Sequence, residues 1–125
     1  MLKFIVEPRN YEFFWRPLFC GISIALLSLT LSPKVVSPVS LNNIDKIYHL
    51  VAFASFSGSF RLAFSSLKIF YLITLSCLFG VMIEIVQHFI PNRSFSLADI
   101  LADVLGVLLG VLIVKYLSTY KIRDQ

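Results

Sequence analysis

The chain has 125 residues, of which 58% are hydrophobic and only 14% charged, with a mean hydropathy of +0.84. A soluble globule carries about 25% charged residues, so a water-exposed domain is excluded and lipid is the expected solvent. The formal net charge of +4 is modest and unevenly placed, which points to membrane orientation and not to a nucleic-acid partner.

A helix needs about 20 apolar residues to cross a hydrocarbon core of roughly 30 Å. The first such stretch covers about residues 13–31. The small residues after its apolar run, in Leu31-Ser32-Pro33, give some support to a cleaved signal peptide. Glu7 and Glu12, mixed with Lys3, Arg9 and Arg16 ahead of the run, favour a retained helix. The second stretch covers about 44–60, the third 69–89 and the fourth 98–117. Short polar or turn-compatible segments separate them, and together they use most of the chain. The expected fold is therefore all-α: a single polytopic membrane domain over residues 1–125 with about four transmembrane helices. No repeat or low-complexity tract interrupts it. Cys20 and Cys77 lie in apolar runs and imply no disulfide framework.

Cytoplasmic flanks collect Lys and Arg. Eight of the eleven basic residues (Lys3, Arg9, Arg16, Arg61, Lys68, Lys115, Lys121 and Arg123) fall on one side of this arrangement. Lys34, Lys46 and Arg93 fall on the other. Both termini are thus expected in the cytoplasm, with the segments around 32–43 and 91–97 facing outward from a bacterial cytoplasmic (inner) membrane.

Ionisable residues inside a span are expensive and mark functional sites. Here they converge. The second helix opens with Asp45-Lys46-x-x-His49, the third ends with Glu84-x-x-Gln87-His88, the loop holds Pro91-x-Arg93, and the fourth opens with Asp99-x-x-x-Asp103. In an antiparallel bundle all of these are outer-leaflet helix ends. Asp45 and His49, Glu84 and His88, and Asp99 and Asp103 are spaced i, i+4 and share faces. Those faces are expected to turn inward, with Lys46, His49 and Arg93 pairing against Glu84, Asp99 and Asp103.

This ordered set, D-K-x-x-H, E-x-x-Q, P-x-R, then Asp99 followed by Gly106, resembles the VanZ-like family over about residues 40–117. Asp103 departs from it, standing where the family pattern has asparagine. The resemblance implies a small polytopic membrane protein of the bacterial cell envelope. It also implies a link to resistance against teicoplanin, the role of the family's namesake, but it brings no firmly attached reaction.

Each residue also has a plainer reading. Asp45 suits a helix N-terminus, and Ser96-x-x-Asp99 resembles a capping box. His49 fits either a buried hydrogen-bonding residue or a ligand. Glu84, deep in an apolar run, has no helix start of its own to cap, which leaves a site role or an ion pair with Lys46, His49 or Arg93. Arg93 would grip a phosphate or carboxylate, or else pair with Asp99 or a lipid headgroup. Ala102, Gly106 and Gly110 form a small-residue stripe for close helix packing, within the chain or in a homo-oligomer through the fourth helix. Trp15, Tyr48, Tyr116 and Tyr120 read as interfacial aromatics. Phe53, Phe56, Phe60 and Phe64 read as a lipid-facing or packing stripe.

Three functions follow. The first is binding of a membrane lipid or lipid-linked cell-wall precursor by its headgroup, through Asp45, Lys46, His49, Glu84, Gln87, Arg93, Asp99 and Asp103. The second is an enzyme on such a headgroup with Glu84 and His49 as acid and base. No recognised catalytic motif supports it, so a non-enzyme is favoured. The third is a non-catalytic scaffold or interaction subunit. No cofactor is expected, and no metal, because the ligand types are present without a recognised spacing.

Overall fold

The computed structural model describes the backbone of residues 8–33 and 42–123, with side chains described over 11–33 and 44–119. Lys3 and Lys34, and the side chains of Arg9, Tyr120, Lys121 and Arg123, lie outside the described residues. Four helices follow in order: α1 (Pro8–Thr30), α2 (Asn42–Ala63), α3 (Ile69–Gln87) and α4 (Leu97–Arg123). No strand occurs among the described residues.

Three of the helices, α1, α3 and α4, are long and apolar enough to cross a membrane. At 22 residues α2 has the length, but Asp45, Lys46, His49 and Arg61 dilute its apolar content. Its position accounts for this. It packs against all three other helices, most extensively against α4, and so presents the least surface to lipid.

Polarity is inverted relative to a soluble bundle. His49, Glu84, Gln87 and Asp103 are buried, as are Ser57 and Ser76. Phe13, Ile24, Leu29, Leu78, Leu105 and Leu112 are exposed. Water would penalise that much exposed apolar surface, whereas lipid does not.

The close seam of the bundle is the α2–α4 crossing. A Cβ added to Gly106 would overlap the Leu50 carbonyl oxygen, and one added to Gly110 would overlap the Ala54 carbonyl oxygen and Ser57 Oγ. The two backbones meet because nothing stands between them. Ser57 Oγ then donates across the seam to the Val107 carbonyl, 3.0 Å away. The small-residue stripe is thus filled by α2 of the same chain.

Aromatic rings join α1, α2 and α3. Phe56 stacks on Phe79 with centroids 5.0 Å apart, and Phe19 stacks on Phe60 at 4.9 Å. Phe53 and Phe56 are buried, so this part of the stripe is packing surface. At the same end as the α2–α3 turn, Glu12 accepts from Ser65 N–H (3.1 Å) and Oγ–H (2.7 Å). Arg16 pairs with Glu12 at 2.8 Å and lies over the Phe64 ring. The N-terminal half of α1 is thereby tied to the α2–α3 connection.

Candidate functional site

The opposite end, where α1 finishes, α2 begins and α3 turns into α4, collects all eight polar candidates. The turn is set by Asn92, whose φ of 61° places it in the left-handed region, which Asn tolerates better than most residues. Arg93 then points back to α1: its Nε donates to the Ser32 carbonyl (3.0 Å) and its Nη2 to the Leu29 carbonyl (3.3 Å). Gln87 Nε2 donates to the Thr30 carbonyl at 2.7 Å. The last carbonyls of a helix lack intrahelical donors, and here two side chains of the α3–α4 region satisfy them. Arg93 therefore pairs with backbone and not with Asp99. Replacing Gln87 by leucine is expected to free the α1 C-terminus, with faster amide hydrogen exchange confined to residues around 27–32. The loss should be about 1 kcal/mol, the net value of one such hydrogen bond.

Ser96 starts α4 as a cap: the Asp99 N–H donates to Ser96 Oγ at 3.2 Å. In a reciprocal capping box the Asp99 carboxylate would reach back to the Ser96 N–H. Here Glu84 Oε2 from α3 takes that N–H instead, at 3.0 Å. Glu84, which has no helix start of its own, thus caps a neighbouring one. Asp99 is released from the box and lies with Oδ2 4.0 Å from His49 Nε2.

Below this, His49 and Asp103 form a buried pair, Nδ1 to Oδ1 at 2.9 Å, with 4% and 1% of their side chains accessible. The imidazole thus has a carboxylate toward each ring nitrogen, Asp103 firmly and Asp99 more loosely. Glu84 completes the layer. One ligand atom each from His49, Glu84 and Asp103 lie within 4.8 Å of one another, and the same holds for Asp45, His49 and Asp99. Either trio has the donor types and spacing to hold a metal ion.

Two cavities open on this cluster. A polar one of about 220 Å³ is lined by Asp45, Lys46, Gln87, Arg93, Ser96 and Asp99, among others. An apolar one of about 440 Å³ runs beside it between α1 and α2, lined by Leu26, Leu29, Tyr48, Val51 and Ala52. Asp45 and Arg93 belong to both. Sequence reasoning did not single out the groove residues Leu26, Leu29 and Val51. It also missed Asn92, although an Asn after Pro in a short loop carries a turn signal. His88 is not among the residues lining either of these cavities; it lines a separate one with Ile85, Phe89 and Phe95.

A four-helix bundle with an apolar exterior and an acidic, histidine-containing cluster at one end defines a small helical membrane protein. The family model described as VanZ/LLP1 matches residues 3–118, and the chain belongs to the VanZ-like family. The match takes in α1 as well as the region from about residue 40 that carries the motifs. No curated protein and no solved structure matches.

Proposed function

We propose that this chain is a multi-pass protein of the bacterial cytoplasmic membrane, with both termini in the cytoplasm, that binds a lipid or lipid-linked cell-wall precursor by its headgroup on the outer face. Through that binding it affects susceptibility to glycopeptides of the teicoplanin type. The observation that carries this reading is the junction of the two cavities: a polar pocket and an apolar groove share Asp45 and Arg93. An amphiphile needs such a pair, one compartment for its charged head and one for its chain. Lys46 and Arg93 supply attraction for a phosphate, and Asp45 and Asp99 set its orientation. Arg93 lines both cavities, which places its guanidinium where the head of such a ligand would sit.

Native mass spectrometry of gently extracted protein tests this. The wild type is expected to retain a defined lipid, and both Arg93→Ala and Ala52→Trp, which fills the groove without touching the polar pocket, are expected to lose it. A ligand-free wild-type spectrum, or a lipid held equally by the Ala52→Trp protein, would overturn the reading. The same spectrum reports whether copies associate, for which the outer face of α4, with Leu101, Leu105 and Leu112 exposed, offers an apolar surface.

The buried Asp103–His49 pair also favours a second reading, an enzyme acting on the bound headgroup. A carboxylate on one ring nitrogen fixes the imidazole as acid or base at the other, with Glu84 alongside. Release of headgroup product by the wild type, abolished in His49→Gln with lipid still bound, is the result that would establish it.

A further inference from the structure

We infer that the buried cluster of His49, Glu84 and Asp103 holds one divalent metal ion. The three side chains come from α2, α3 and α4, and one ligand atom of each lies within 4.8 Å of the others. Ligands about 2.0–2.2 Å from one ion stand roughly 3–4 Å apart, so at most a small movement of these side chains completes the site.

Among the described residues, two carboxylate oxygens of the cluster are buried and unsatisfied. Glu84 and Asp103 are 0% and 1% accessible, yet Glu84 Oε1 and Asp103 Oδ2 have no hydrogen-bond partner among the described residues. Each carboxylate spends one oxygen on the protein, Glu84 on the Ser96 N–H and Asp103 on His49, and leaves the other unspent. Buried charges are paired or coordinate metals. The nearby Arg93 is not the missing partner, since its contacts go to the carbonyls of Ser32 and Leu29. A divalent ion accepts both unspent oxygens and offsets both charges.

The histidine is arranged as a metal ligand commonly is. Ligating imidazoles usually carry a carboxylate on the other nitrogen, which sets the tautomer and the ring plane. His49 has one on each side, Asp103 at 2.9 Å from Nδ1 and Asp99 at 4.0 Å from Nε2. Asp103, a ligand of the same ion, lies on the Nδ1 side, so the ion belongs at Nδ1 and Nε2 is left facing Asp99. Two carboxylates and one imidazole, without a thiolate, suit Zn²⁺ or Mn²⁺ and not a soft ion. Three protein ligands leave one position of a tetrahedral site for a further ligand. The sequence shows none of this, because ligands at positions 49, 84 and 103 have no local spacing to recognise.

The test uses the full chain in detergent, stripped with a chelator and dialysed against Zn²⁺ or Mn²⁺, with bound metal quantified by mass spectrometry. About one ion per chain is expected for the wild type, with an upward shift of its melting temperature on loading. Asp103→Asn and Glu84→Gln are expected to bind at least about tenfold more weakly, and His88→Ala, which removes the other histidine, to bind as the wild type does. A stripped wild type that takes up no ion and shows no melting shift overturns the site, and that measurement depends on no variant. Uptake that persists undiminished in Asp103→Asn, or that disappears in His88→Ala, overturns it equally. No lipid enters these readouts, so their failure and the failure of the lipid-binding reading are separate results.

Discussion

Gly106→Ala and Gly110→Ala are each expected to destabilise the bundle by about 3 kcal/mol or more, the upper range for forcing atoms into a packed interior. Helix propensity alone predicts the opposite sign, since alanine is favoured over glycine in a helix interior by about 1 kcal/mol. The structure decides against propensity. At Gly106 the added methyl would meet the Leu50 carbonyl oxygen and the Ala54 nitrogen, and at Gly110 the Ala54 carbonyl. These are backbone atoms of α2 and cannot rotate away, so the helices must separate. Separation would also break the Ser57–Val107 hydrogen bond and loosen the layer that holds His49 against Asp103. Gly21 supplies the control, because nothing lies within 4 Å of its added Cβ; Gly21→Ala should be neutral or slightly stabilising. Unfolding of the purified proteins in increasing SDS measures all three. Equal stability of Gly106→Ala and Gly21→Ala would mean that the α2–α4 seam is not closed as described.

Asp103→Ala is expected to cost about 3–5 kcal/mol, the range for removing one partner of a buried pair. His49, 4% accessible, would lose its 2.9 Å contact with the carboxylate. Asp103→Asn should behave differently. An amide oxygen still accepts from an imidazole N–H at the same place, so the loss should stay within about 1 kcal/mol. The resemblance drawn from the motifs, in which asparagine stands at this position, agrees with a fold that tolerates it. The pair His49→Leu and Asp103→Leu together should be less damaging than Asp103→Ala alone, since no polar atom is then stranded. The same SDS series, with circular dichroism to confirm helicity, reads the order Asn, double leucine, alanine. A loss below about 1 kcal/mol for Asp103→Ala would show that the pair is not buried as described.

The sequence was most legible where one-dimensional pattern and physics coincide. Apolar runs of membrane length gave the helices, and hydrophobic composition gave the solvent. The ordered polar residues, from Asp45 through Asp103, carried the family. Convergence of those residues at one end was also readable, because short connections force antiparallel neighbours and place alternate helix ends together. What each residue does there was not. Arg93 and Gln87 turn to the carbonyls of Leu29, Thr30 and Ser32, groups that every residue carries and no sequence pattern flags. Glu84 caps α4 from α3, across 12 positions, so its role depends on two helices being side by side.

By itself, then, the sequence determined that this is a helical membrane protein of the VanZ-like family with its polar residues gathered toward one face of the bilayer. That follows from transfer free energy, which is a property of each segment alone. Only the tertiary structure decided that α2 lies innermost, that Gly106 and Gly110 serve contact within the chain, and that His49 has a carboxylate toward each ring nitrogen. It also decided that a polar pocket opens beside an apolar groove. Those depend on which helix faces meet and at what distance, and a difference of one methyl group at the α2–α4 crossing is enough to change them.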